Sequence, residues 1–309
     1  MQAPKSLVFT VFLIGSNHIF DEHPIDFGDV HSSEQIIKET WSAFRRALKN
    51  KEFSYNEISK ALDTTFLKVF NQIFEYCHDR FEYPLEEVQS NNFLKRGARL
   101  KETDVVCHDR FLPKARFIKE DNRFSPAGVE WLYLAVSTNA GLAEECTIKE
   151  CRAVAGDRFG ICSFAIKEAY KNKKIVDLTV ADELTYNDIN SKLEQAYCSL
   201  RDERFARSLI QGRPAGATLV EQRSVINAIL DWSLSTYLKL LSEQIFLPLE
   251  DTDDKELLYA PFQCVAQYFL SKGYAGIKYK STVCTGAKDI VLFDKTMAAP
   301  VGTIKDFTI

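Results

Sequence analysis

The stretch that decides the fold runs from Asn122 to Glu145: Asn-Arg-Phe-Ser-Pro-Ala-Gly-Val-Glu-Trp-Leu-Tyr-Leu-Ala-Val-Ser-Thr-Asn-Ala-Gly-Leu-Ala-Glu-Glu. Pro126 and Gly128 predict a turn, and Trp131 to Val136 is a short apolar run of strand character. Thr138 or Asn139 is placed to cap a helix whose first turns carry Glu144 and Glu145. If Tyr133 and Glu144 emerge on the same side of this strand-to-helix unit, they can share a cleft with Arg123. A fixed cation, an aromatic face and a carboxylate suit a ligand that carries phosphate and a ring.

Working outward, 309 residues suffice for one large domain or two ordinary ones with an ample core. The formal net charge of -4 and pI near 5.8 argue against broad nucleic-acid binding. Eight cysteines, at 77, 107, 146, 151, 162, 198, 264 and 284, are dispersed singly, with no Cys-x-x-Cys pair and no zinc-like histidine spacing. Reduced thiols in a cytoplasmic protein without a metal are expected. Leu7 to Ile14 superficially resembles the apolar core of a secretion signal, but its β-branched residues and the lack of a small-x-small cleavage site predict a buried strand. No stretch reaches the ~18 apolar residues of a membrane span.

Two amphipathic helices are predicted next: one behind Ser32 and Gln35 reaching Lys49, the other behind Ser54 and Glu57 carrying Ile58, Leu62, Phe66, Val69, Phe70, Ile73 and Phe74. Residues 1–90 thus read as a mostly helical N-terminal module, and 91–309 as a second domain. Phe93 to Arg99, with three cations around Gly97, reads alone as a solvated loop. Ile161 to Ile166 and Lys174 to Val180 read as strands, residues 182–250 as a helical insertion, and Val265 to Leu270 as a helix stopping at Gly273. Gly276 to Ser281 and Asp289 to Phe293 read as strands, with an edge strand near 301–309. Uneven helices between short strands, with no Gly-rich loop behind a strand, predict an α+β domain with a mixed sheet rather than a doubly wound parallel fold.

Taken together, Arg96-Gly97-Ala98-Arg99, Arg123-Phe124-Ser125-Pro126-Ala127-Gly128, and Leu132-Tyr133-Leu134-Ala135 with Glu144 eleven positions after the tyrosine resemble the RES domain. Val176-Asp177-Leu178-Thr179, Tyr259-Ala260-Pro261-Phe262-Gln263, Gly276-Ile277-Lys278-Tyr279-Lys280-Ser281 and Asp289 to Asp294 follow in that family's order. Phe262 stands where the family usually has threonine, and Gly97 where some members have an aromatic. The resemblance spans roughly residues 90–309 and implies an ADP-ribosyltransferase-like fold. It also implies a bacterial toxin that consumes NAD by hydrolysis or phosphorolysis, or transfers ADP-ribose to a protein target, restrained by an antitoxin with a helix-turn-helix region.

Carried over by position, it makes Arg96 and Arg123 the arginines of the NAD pocket, Tyr133 its tyrosine, Glu144 the catalytic carboxylate and Ser281 the active-site serine. The chemistry suits these types. Cleaving the nicotinamide–ribose bond develops positive charge on the ribose, which a fixed carboxylate stabilises by about 3 kcal/mol. Arginine forks grip a pyrophosphate in a way lysine cannot. No histidine motif supplies Ser281 with a base, so it is expected to position groups rather than attack. A non-catalytic module that senses NAD or another nucleotide is the competing class.

Overall fold

A computed structural model of the chain describes residues 30–216, 218–245 and 255–309. The strand expected over Leu7 to Ile14 lies outside these. Mixed α+β composition is borne out, with one eight-stranded sheet among helices.

The described residues divide into two compact units, neither continuous in sequence. The first gathers 30–47, 59–78 and the helical stretch 180–241. The residues read as an insertion therefore share a unit with the N-terminal helices. Helix α1 (Val30–Lys49) begins ahead of Ser32, and the second expected helix is broken into α2 (Ile58–Ala61) and α3 (Thr65–Cys77). At the break, the Thr64 hydroxyl donates to the Ala61 carbonyl at 2.6 Å, an alternative to continuing the helical ladder. α6 (Tyr186–Gln211) opens on a Thr185/Asp188 capping box and ends at Gly212 in the left-handed conformation, φ 61°. α7 (Leu219–Ile245) follows.

The core of this unit is aromatic. Phe66 stacks at 4.9 Å from Trp41 and 5.1 Å from Tyr237, and Phe70 at 5.6 Å from Tyr237. Such tilted pairs add ~0.5–1.5 kcal/mol each beyond burial. Buried Asn190 donates to Glu34 at 2.8 Å and accepts from Trp232 Nε1 at 2.8 Å, so these three side chains satisfy one another.

The second unit holds the sheet and comprises residues 48–58 and 79–179 with the described part of 242–309. Its strands are β1 (Glu82–Pro84), β2 (Phe93–Leu100), β3 (Leu132–Ser137), β4 (Arg158–Ile166), β5 (Lys174–Asp177), β6 (Gly276–Lys280), β7 (Lys288–Leu292) and β8 (Ala298–Thr308). They lie in the order β1-β5-β6-β7-β3-β2-β4-β8, antiparallel except for the β5/β6 pair. The predicted edge strand is β8, at the margin of the sheet. Residues 93–99, which read alone as a solvated loop, are β2, inside the sheet between β3 and β4.

Three helices serve this sheet: α4 (Leu85–Asn91), α5 (Ala140–Glu150) and α8 (Lys255–Ser271). Asn139 caps α5, its side chain accepting from the amides of Gly141 (2.8 Å) and Leu142 (3.2 Å). Pro261, expected in a separate motif segment, lies inside α8, and Gly273 beyond its end takes φ 87° as a C-cap. The turn at 126–129 closes by Val129 N–H donating to the Pro126 carbonyl, with Gly128 at φ 80°, as the third position of a type II turn requires.

Candidate functional site

The site follows from the way β2 changes partners. β2 pairs with β3 over only three positions, Phe93–Lys95 against Ser137–Ala135. Beyond them β2 stays with β4 to Leu100, whereas β3 stays with β7 to Leu132. The strands part beyond the Lys95/Ala135 pair, at Arg96 and Leu134, and the gap is a cavity of about 510 Å³ lined also by the loop around Phe117 to Asn122. That volume lies within the range of small-molecule and cofactor pockets.

Arg96 and Tyr133, two of the five residues singled out from the sequence, line the cavity. Arg96 donates one N–H to the Tyr133 carbonyl at 3.3 Å, so its remaining donors are available to a ligand. Burial lowers its guanidinium to about 10, which leaves it charged at neutral pH. The Tyr133 hydroxyl lies 2.9 Å from Ser125 Oγ, and burial pushes the phenol well up, so it stays neutral.

The other three stand outside the lining. Arg123 places its guanidinium 5.6 Å from the centre of the Tyr259 ring, a cation–π contact. Both Glu144 carboxylate oxygens accept from Lys305 at 2.7 Å, and Lys95 approaches to 3.3 Å. Burial works to raise this carboxyl, but the two lysines outweigh it and hold it below the usual range. Ser281 is buried behind the wall and donates to Glu150 Oε1 at 2.8 Å.

The carboxylates in the wall are Glu120, Glu150 and Asp289. The α5 residues Ala143, Cys146 and Thr147 are buried, and Glu150 continues that i, i+3, i+4, i+7 stripe. Glu144 sits off the stripe, toward Lys95 and Lys305. This spacing was the signal in the sequence for Glu150. Asp289, on β7, is 4% exposed, and its Oδ1 lies 3.5 Å from Cys146 Sγ, which is also 3.4 Å from Ser281 Oγ. Burial, reinforced by neighbouring Glu150, raises the Asp289 carboxyl well above the ordinary carboxylate range. Tyr279 of β6 completes the wall, its ring 4.8 Å from Phe124.

The lining carries charges of both signs, with Lys119 and Glu120 adjacent on the loop. Lys95 and Arg96 come from β2, whereas Glu150 comes from α5 and Asp289 from β7. Gly97 lets α5 approach β2, since a Cβ there would fall 2.8 Å from Thr147 Cβ. Among the described residues, no helix is long and apolar enough to cross a membrane, and all eight cysteines are free thiols.

No protein-family model, curated protein or solved structure matches this chain.

Proposed function

We propose that the cavity between β2 and β3 binds NAD and that the chain cleaves the nicotinamide–ribose bond, by hydrolysis or phosphorolysis, as a RES-type toxin with an ADP-ribosyltransferase-like fold. The observation that carries this reading is the convergence of Arg96, Tyr133 and Glu150 on one cavity of about 510 Å³, where the sheet parts. NAD joins an anionic pyrophosphate to a cationic nicotinamide ring, and the lining offers groups for each, Lys95 and Arg96 on β2 and Glu150 on α5. Arg96 would grip the pyrophosphate, and Tyr133 and Tyr279 would face the ring. A carboxylate in the wall would stabilise the positive charge developing on the ribose.

The resemblance points to Glu144 for that last role, and the geometry favours Glu150. Glu144 is neutralised by two lysines, whereas Glu150 lines the cavity, accepts from Ser281 and has no cation within 4 Å among the described residues. Ser281 would hold Glu150 in place. Arg123, beside Tyr259, would have to swing from that ring to reach a phosphate.

Purified protein incubated with NAD tests this, with free nicotinamide followed by chromatography in the presence and absence of phosphate. Release is expected, with Glu150→Gln slower by about 10²–10³-fold and Glu144→Gln closer to native. No release under any condition, cell extract included, would sink the catalytic claim. Transfer to a protein target would instead leave label from NAD on a protein band. The toxin reading also predicts a helix-turn-helix antitoxin as partner, sought by co-purification.

A further inference from the structure

Four carboxylates among the described residues are buried: Glu34, Asp177, Glu221 and Asp289. Three are neutralised, Glu34 by Lys38 at 2.5 Å, Asp177 by Lys278 at 2.9 Å and Glu221 by Arg207 at 2.5 Å. Among the described residues Asp289 has no cation within 4 Å, and its Oδ2, closed from solvent, has no hydrogen-bond donor other than a proton shared with the neighbouring Glu150 carboxyl. A buried acid in that state is neutralised either by a proton, which neighbouring Glu150 favours, or by a cation that displaces it.

The groups around it add negative character. Glu150 is the last residue of α5, where the helix dipole presents its negative end. One donor atom each from Cys146, Glu150 and Asp289 can be chosen so that all lie within 4.8 Å of one another. Cys146 is buried and does not line the cavity, so whatever meets all three donors must be of atomic size. This excludes an organic cation.

We propose that Cys146, Glu150 and Asp289 form a binding site for one divalent cation of borderline softness, Zn²⁺ first among them. One thiolate with two carboxylates suits zinc or cobalt rather than magnesium or calcium, which take all-oxygen shells. Three protein donors beside a cavity leave the fourth position to water or ligand. The ligands come from α5 and β7, 143 positions apart between Cys146 and Asp289, so no local sequence spacing announces them. The site stands on its donors and does not depend on the NAD reading. If both hold, the ion and the developing ribosyl cation compete for Glu150, and the ion-loaded protein is the slow form.

Equilibrium dialysis against Zn²⁺ after chelator treatment is the test, in the absence of NAD so that the outcome is independent of the cleavage reaction. The full chain is used with Cys107→Ser and Cys198→Ser as background, which removes the two exposed thiols. One tightly held ion per chain is expected. Asp289→Asn and Glu150→Gln, which keep the side-chain volume, should each weaken binding by about 10–100-fold or more. Co²⁺ should give a thiolate-to-cobalt charge-transfer band that Cys146→Ser abolishes, with circular dichroism confirming that each variant is folded. Fewer than one ion per chain, or unchanged affinity in folded Asp289→Asn and Glu150→Gln, would overturn the proposal.

Discussion

Replacing Gly97 by alanine tests whether α5 and its inward stripe sit where the candidate site requires. An added Cβ would lie 2.5 Å from Phe159 Cζ, 2.8 Å from Phe159 Cε1 and 2.8 Å from Thr147 Cβ. Ordinary carbon–carbon contact is ~3.5–4.0 Å, so the shortfall is about 1 Å on two sides at once. Phe159 is fully buried, its ring 6.2 Å from that of Phe307, and Thr147 is fixed on α5. Gly97 has no positive φ, so the cost is steric and comes from overpacking, about 1–3 kcal/mol. For a unit of 150–250 residues this lowers Tm by roughly 2–12 °C. Thermal unfolding by circular dichroism with a urea series measures it, and the denaturant midpoint should move while the slope stays constant. A change below about 0.5 kcal/mol would mean that α5 does not rest on β2 at this point, and the placement of Glu150 would fall with it.

Gly276→Ala is expected to be harsher, at or beyond the upper end of about 1–3 kcal/mol, because the new Cβ would lie 2.1 Å from the Val291 carbonyl oxygen and would separate β6 from β7; the yield of soluble folded protein reads this out. Tyr133→Phe removes the partner of the buried Ser125 hydroxyl and should cost about 1–3 kcal/mol in chemical denaturation. Glu144→Gln should destabilise at neutral pH by more than the ~0–1 kcal/mol of a surface pair, since Lys305 is largely exposed but Lys95 is not and would lose its carboxylate partner. Glu144 has its folded-state pKa lowered, so its contribution is present above the unfolded value and lost as pH falls through the folded one. Native and variant midpoints should therefore converge once the pH falls through the folded-state value, itself below the usual carboxylate range; a gap that persists in stronger acid would show that the ion pairs are not its source.

Much of this architecture was legible where local chemistry decides it. The Pro126/Gly128 turn, the apolar run of β3 and the Asn139 cap each follow from a few adjacent residues, and all are present. β2 escaped the reading because cations around a glycine look solvated, yet Lys95, Arg96 and Gly97 are polar or small because they face a cavity and a close helix. Arg96 and Tyr133, named from scattered motifs, line one cavity. Of the α5 acids it is Glu150, partly open to solvent, that borders the cavity, while Glu144 lies beside Lys95 and Lys305, since helical phase, not distance from Tyr133, governs which acid meets the cavity. Asp289 and Cys146 carry no local signal, because their significance arises only when β7 is laid beside β3 and α5 is packed above them. The grouping of the first helices with residues 180–241 was hidden for the same reason.

That grouping has a bearing on biosynthesis. The aromatic layer of the helical unit joins Trp41 and Phe66 to Tyr237, with the sheet-forming stretch 79–179 emerging between them. At ~5–20 residues per second, the ribosome needs about 8–30 s to pass from the end of α3 to Tyr237. Through that interval Phe66 and Phe70 wait without the helix that later covers them, a natural occasion for chaperone capture. The sheet, too, stays open, because β6 and β7, which join β5 to β3, are made last but for the edge strand. Neither unit can finish folding from an N-terminal fragment, so the Arg96 and Tyr133 walls of the cleft are synthesised long before the strands that complete it.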